Sequence, residues 1–230
     1  MSNEKVYEAR KLIAKVGAMM LSRNLTDLAG GNISMRVGDK IVMSPTLAGS
    51  KYFWQLDPEQ VLVLDLKGNK IDGNGEISRE SPTHIRLLNS FYPSGTAVIH
   101  AHPRNILVFC ATEQTIPPVL EGVLKFGEIK FAKYANGGTH SEKLAENIHE
   151  ALQGQEELIA KHAAIIMAPW HGVFAVGKDL TLTLDAIDRI ENNAYTILMG
   201  RSLLSDPDRL DYHRNRLEIS AKEILKSGGE

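Results

Sequence analysis

Cysteine is nearly absent: Cys110 stands alone in a chain of 230 residues. No internal disulfide is possible, and a reducing, cytoplasmic compartment is the expectation. Charge of one sign is also lacking. With 26 Lys and Arg against 28 Asp and Glu, the formal charge is −2, which gives no electrostatic footprint for nucleic acid. No block of basic residues suits an anionic membrane surface. No apolar run approaches the ~18 residues of a membrane helix, and the polar start Met1-Ser2-Asn3-Glu4-Lys5 does not read as a signal peptide. Internal repeats, low-complexity tracts and linkers are missing too. What remains is 43% hydrophobic and 23% charged, an ordinary globular composition whose partner is a small molecule rather than a polyanion.

The chain reads as one domain over residues 1–230, with a charged helical tail at 205–230. Val6, Leu12, Ile13, Val16 and Met20 fall near helical spacing. After Gly30-Gly31, Ile33–Val37 alternates like a strand and turns through Gly38-Asp39 into Lys40–Ser44, a hairpin. Val61–Leu66 and Lys70-Ile71 form a second around Lys67-Gly68-Asn69. Ser81-Pro82 starts a helix, with serine as cap and proline in the first turn, running to about Tyr92. Thr96–His102, Glu128–Tyr134, Ala163–Ala168 and Val173–Val176 read as strands. Helices are expected near Ile106–Ala111, over Ser141–Leu152 and over Leu180–Leu203, the last with Asp179 as its cap. Hairpin-linked strands exclude the regular alternation of a doubly wound parallel sheet. The expected class is α/β, a mixed, mainly antiparallel central sheet with helices on its faces.

The strongest chemical signal is Ala97-Val98-Ile99-His100-Ala101-His102-Pro103. Side chains two apart on a strand share a face, so His100 and His102 present two imidazoles together. Imidazole is a favoured zinc ligand, and a catalytic site takes three protein ligands and an open position. The competing reading is two histidines making ordinary hydrogen bonds near a sheet edge. A cupin would place a glutamate three or four residues later, where Asn105 and Ile106 stand. A hydrolase barrel would carry the pair on its first strand in a chain of ~250 residues or more. For a third ligand, His171 lies in a short break between two apolar strands and His162 precedes a strand. Spacing favours His171 only modestly.

Six stretches in order now matter: Gly30–Ser34, Ser44-Pro45-Thr46, Ser78–His84, Ala97–His102, Tyr134–Thr139 and His171–Gly177. Together they resemble the class II aldolase/adducin family, which includes L-fuculose-1-phosphate aldolase and L-ribulose-5-phosphate 4-epimerase. The resemblance covers about residues 5–200 and implies an α/β/α domain, a phosphorylated sugar substrate and a homotetramer with active sites at subunit interfaces. It implies that His100, His102 and His171 bind Zn2+, with Glu80 as a fourth ligand in the resting enzyme and the acid/base when substrate displaces it. By itself, Glu80 would read as a first-turn glutamate facing the helix dipole. For the substrate phosphate the resemblance points to Gly31, Asn32, Thr46 and Ser78. Leu47 stands where it expects glycine, and Arg79 replaces a second serine. That arginine can clamp a phosphate or accept a carboxylate.

The family divides one site among aldol cleavage, epimerisation, dehydration and decarboxylation, so membership does not fix the bond. The expected reaction is aldol cleavage of a ketose 1-phosphate to dihydroxyacetone phosphate and an aldehyde. In the fuculose-phosphate aldolase pattern a tyrosine follows the Ile-Pro segment, whereas Ile116–Leu120 here precedes Glu121. An acidic residue in this region is an epimerase or dehydratase feature, so Glu121 is a candidate acid/base; the plainer reading is a solvated glutamate. Tyr134 and Tyr212 are candidate phenolic proton donors. A non-catalytic, adducin-like interaction domain is the reading from another class, and it predicts lost metal ligands.

Overall fold

In a computed structural model of the chain, residues 3–136 and 141–200 are described, with 212, 215–220 and 222–223 of the C-terminal segment. The order is α1 (Asn3–Ser22), β1 (Asn32–Val37), β2 (Lys40–Met43), α2 (Ala48–Tyr52), β3 (Leu62–Asp65), β4 (Lys70–Asp72), α3 (Ser81–Ser90) and β5 (Ala97–Ala101). It continues with α4 (Arg104–Thr112), α5 (Glu142–Leu152), α6 (Glu156–Lys161), β6 (Ala163–Ala168), β7 (Gly172–Gly177) and α7 (Leu180–Gly200). The strands make one seven-stranded sheet in the order β4-β3-β2-β1-β5-β7-β6, and every ladder is antiparallel.

Alternation along the strands splits the core into two layers. Ile33, Val42, Ile99, Met167 and Ala175 face a layer with Ile13, Val16 and Met20 of α1, Ile106 and Phe109 of α4, and Ile187 and Ile190 of α7. Ile41, Met43, Val98, Ile166 and Phe174 face the other, with Leu87 and Leu88 of α3 and Leu144 and Ile148 of α5. Each of the large side chains among these, taken out of water, contributes roughly 1.5–3 kcal/mol. All five residues of β5 are buried, as a strand covered on both faces requires. This is a single α/β/α domain.

The hairpins, α1, α3 and the sheet strands follow the sequence expectations. Asp179 caps α7 as expected, its Oδ1 accepting from Leu182 N at 2.9 Å; Ser141, expected as the first residue of its helix, instead caps α5, its Oγ accepting from Leu144 N at 3.2 Å. Other expectations need correction. Glu128–Tyr134 is not a full strand; Ile129 bridges Ile116, and Phe131 makes one parallel bridge to Met167 on the edge strand β6. A period-two pattern here reflects an extended edge segment whose ladder is interrupted. The cap of α3 is Glu80, not Ser81, which becomes the first helical residue. Glu80 makes no side-chain capping bond, because its carboxylate turns elsewhere. The short helices α2 and α6 were not anticipated; with five and six residues they carry too little periodicity to read. Of the expected tail, 212, 215–220 and 222–223 are helical, and the remainder lies outside the described residues, as do 137–140 and 201–203.

Candidate active site

The antiparallel register sets Asn32 of β1 opposite His100 of β5, and His100 opposite Phe174 of β7. All three side chains therefore project from one sheet face. Phe174 stacks on the His100 ring at 4.3 Å between centroids. β5 ends at Ala101, so His102 sits one residue past the strand. His171 comes from the three-residue turn Pro169-Trp170-His171 between β6 and β7, in which Trp170 takes a left-handed φ of 54°. Gly172 follows for a steric reason: a Cβ there would meet Ala101 O at 2.5 Å and His102 Cδ2 at 2.8 Å.

His100 is fully buried, and its Nδ1 donates to the Val173 carbonyl at 2.9 Å. His102 Nδ1 donates to Asp27 Oδ1 at 3.3 Å. A carbonyl and a carboxylate can only accept, so each neutral ring carries its proton on Nδ1 and leaves a lone pair on Nε2. Those two Nε2 atoms face each other at 3.2 Å. Glu80, 6% exposed, places Oε2 3.5 Å from His100 Nε2 and Oε1 3.3 Å from His171 Nε2. Oε2 accepts from Asn32 Nδ2 at 3.1 Å, whereas Oε1 has no hydrogen-bond donor. Ligating atoms of the three histidines all lie within 4.8 Å of one another. Lone pairs and a carboxylate converging out of water are costly unless a cation sits among them. The donor set fits a divalent metal.

A cleft opens on this cluster. Gly31, Asn32, Thr46, Ser78 and Arg79, the anion-site candidates, line it with Glu80, His102 and His171. Asn32 Nδ2 also donates to Ser78 Oγ at 3.2 Å, and that oxygen accepts from Glu80 N at 3.2 Å, tying two of the anion-site candidates to Glu80. Leu47, standing where the family resemblance led us to expect glycine, adopts a left-handed φ of 56° and is 56% exposed. The position demands the conformation that glycine takes most readily, and leucine adopts it at some cost. Three candidates do not line the cleft: Glu121 begins a short 3-10 segment, Tyr134 lies edge-on to Trp170 at 5.1 Å, and Tyr212 is an exposed helical residue of the C-terminal segment. His162 is not at the cluster either. It pairs with Asp185 at 3.0 Å, and burial pushes its pKa down despite that partner.

Sequence reasoning passed over Asp27, whose only signal is an acidic residue shortly before Gly30-Gly31. It also passed over a fully buried pair behind the site, in which Ser34 Oγ lies 2.7 Å from His84 Nδ1. Burial pushes His84 down to about 4, only partly opposed by the charge of Glu80.

A sequence model of the Class II Aldolase and Adducin N-terminal domain matches residues 11–198. The chain belongs to the class II aldolase/adducin family. An L-fuculose phosphate aldolase of Methanococcus maripaludis is 29% identical over 170 residues, covering 73% of this chain and 83% of its own. A 3-oxo-tetronate 4-phosphate decarboxylase of Haemophilus influenzae is 27% identical over 204 residues, covering 84% and 90%. Among solved structures, an L-fuculose 1-phosphate aldolase superposes with a TM-score of 0.75 over 98% of both chains at 19% identity, a likeness of fold. These class II aldolase relatives are lyases, and this chain is an enzyme of that kind. No helix among the described residues is long and apolar enough to cross a membrane.

Proposed function

We propose that this chain is a zinc-dependent aldolase that splits a ketose 1-phosphate, of the L-fuculose 1-phosphate or deoxypentulose phosphate type, into dihydroxyacetone phosphate and an aldehyde. The observation that carries the reading is one cleft, with the anion-site candidates Gly31, Asn32, Thr46, Ser78 and Arg79 in its lining and the His100-His102-His171-Glu80 cluster beside them. Zinc is favoured because three imidazoles and a carboxylate suit it, and tetrahedral bonds of ~2.0 Å set ligand atoms ~3.3 Å apart. Bound there, it would supply Lewis-acid stabilisation of the enediolate charge left by carbon–carbon cleavage.

The rest falls to the chain's own residues. The glycine backbone at 31, with Asn32 and Ser78, holds the phosphate end and so orients the bond to be broken. Cleavage requires a proton to leave the departing hydroxyl and another to reach the carbon left behind. Glu80 serves at the carbon: buried, and with only one oxygen hydrogen-bonded, it can turn toward substrate and exchange a proton. Tyr134, the phenolic candidate for the hydroxyl end, is 54% exposed beside Trp170 and outside the cleft lining, so the hydroxyl proton is assigned to water at the open end of the cleft. Glu121 receives no step. The enzyme acts as a homotetramer with sites at subunit interfaces, in a cytoplasmic setting. Supporting that assembly are Leu47 and Trp170, 56% and 59% exposed apolar groups beside the cleft.

Arg79 favours a second reading, decarboxylation of a phosphorylated sugar acid. It is exposed and lines the cleft where a substrate carboxylate could meet it, and the Haemophilus relative is named as such an enzyme. Both reactions break a carbon–carbon bond and leave the same kind of anion. The test is zinc-loaded protein with a panel of ketose 1-phosphates and sugar-acid phosphates, read by mass spectrometry. Dihydroxyacetone phosphate supports the aldolase, and carbon dioxide supports the decarboxylase. Unchanged mass with inverted configuration, or loss of water, would replace both with epimerase or dehydratase chemistry.

A further inference from the structure

Asp27 occupies an unusual junction. Its Oδ1 accepts from His102 Nδ1 at 3.3 Å, from Ala29 N at 2.8 Å and from Gly30 N at 3.0 Å. Its own carbonyl accepts the indole N–H of Trp54, a fully buried side chain, at 3.1 Å. The main chain of residue 27 is thus held from the core side, and its half-exposed carboxylate reaches in two directions. One is the candidate metal ligand. The other is the turn that leads into Gly31-Asn32, the anion end of the cleft. Gly30 abuts the Cε1 side of the imidazole, since a Cβ there would sit 2.3 Å from His102 Cε1.

A carboxylate behind a ligating imidazole does two things: it fixes the ring's tautomer and orientation, and it raises the basicity of the far nitrogen. His100 has a neutral carbonyl, that of Val173, at its Nδ1. We infer that Asp27 is a positioning residue, holding His102 for the metal and the Gly30-Gly31 turn for the anion through one carboxylate oxygen. The inference rests on the metal reading above.

Its test is zinc affinity, measured by competition with a chromogenic chelator on the full chain, for wild type, Asp27→Ala and Asp27→Asn. Asp27→Ala is expected to bind zinc 10–100-fold more weakly (a range of about that size), with an altered visible spectrum when loaded with cobalt. Asp27→Asn keeps an oxygen acceptor without the charge, so it should fall between, weaker than wild type by about tenfold. Unfolding of the metal-free proteins separates this from a purely structural role, which would lower their stability and leave the zinc affinity of the folded fraction unchanged. That last result overturns the inference. If Asp27→Ala does not fold, Asp27→Asn decides, and affinity equal to wild type overturns it. Wild-type protein that binds no zinc sinks the metal reading itself, whereas tight wild-type binding with no change in the variants sinks only the role of Asp27.

Discussion

Gly30→Ala is the sharpest probe of the site, because it adds one methyl group against one ring. The new Cβ would stand 2.3 Å from His102 Cε1, 3.0 Å from Nδ1 and 3.1 Å from Nε2. An ordinary carbon–carbon contact is about 3.5–4.0 Å, so the ring must retreat by about 1 Å. It has little room to do so without loss. On one side it gives up Asp27 Oδ1 at 3.3 Å, and on the other its 3.2 Å approach to His100 Nε2. Gly30 is not among the positive-φ glycines, so alanine brings no backbone strain of its own. The fold should survive while the site loosens. A displacement of this size at a reacting centre costs about 100-fold in kcat/KM, or about 2.7 kcal/mol of transition-state stabilisation. Zinc affinity should fall by about 10–100-fold. Chelator competition gives the affinity, steady-state rates at saturating zinc give the kinetic part, and circular dichroism confirms the fold. Gly30→Ala protein with wild-type zinc affinity and wild-type kcat/KM would refute the placement of His102 in the metal site.

Two further outcomes concern stability. Glu191, 6% exposed on α7, accepts from Asn105 N at 2.8 Å, Asn105 Nδ2 at 2.8 Å and Ile106 N at 3.0 Å, closing the start of α4. Glu191→Ala orphans those donors, and urea unfolding should show a loss of about 2–4 kcal/mol; a change under ~0.5 kcal/mol would mean water replaces the carboxylate. His84 is depressed from 6.5 to about 4 by burial, so the unfolded chain takes up a proton that the folded chain refuses. Its contribution is present above pH 6.5 and is lost as pH falls toward 4, by up to about 3 kcal/mol. Urea titrations of metal-free wild type and His84→Gln should diverge across that window, and parallel pH profiles would show that His84 titrates normally.

How much of this was legible beforehand differs by element. The long amphipathic helices and the hairpins were readable because 3.6- and two-residue periods survive in the sequence wherever one face is buried. The pairing of His100 with His102 was readable for the same reason, since spacing of two on a strand fixes a shared face. The short α2 and α6 and the interrupted edge segment after Glu128 were not, because five or six residues hold no resolvable period and an edge bridge depends on its neighbour. His171 could be preferred over His162 only weakly from spacing, and the family resemblance made that choice.

Patterning and motifs were enough for the α/β class, a two-histidine face at a strand end, and the family. Distances between parts far apart in the chain were decided only by the tertiary structure. β7 pairs with β5 and so brings His171 to His100, and the start of α3 turns Glu80 inward where a capping role would turn it out. Residue 27 meets residue 102 across 75 positions of chain, and residue 32 meets residue 80 across 48. Local patterning states which face a side chain takes; it carries no information about which distant face will be folded against it.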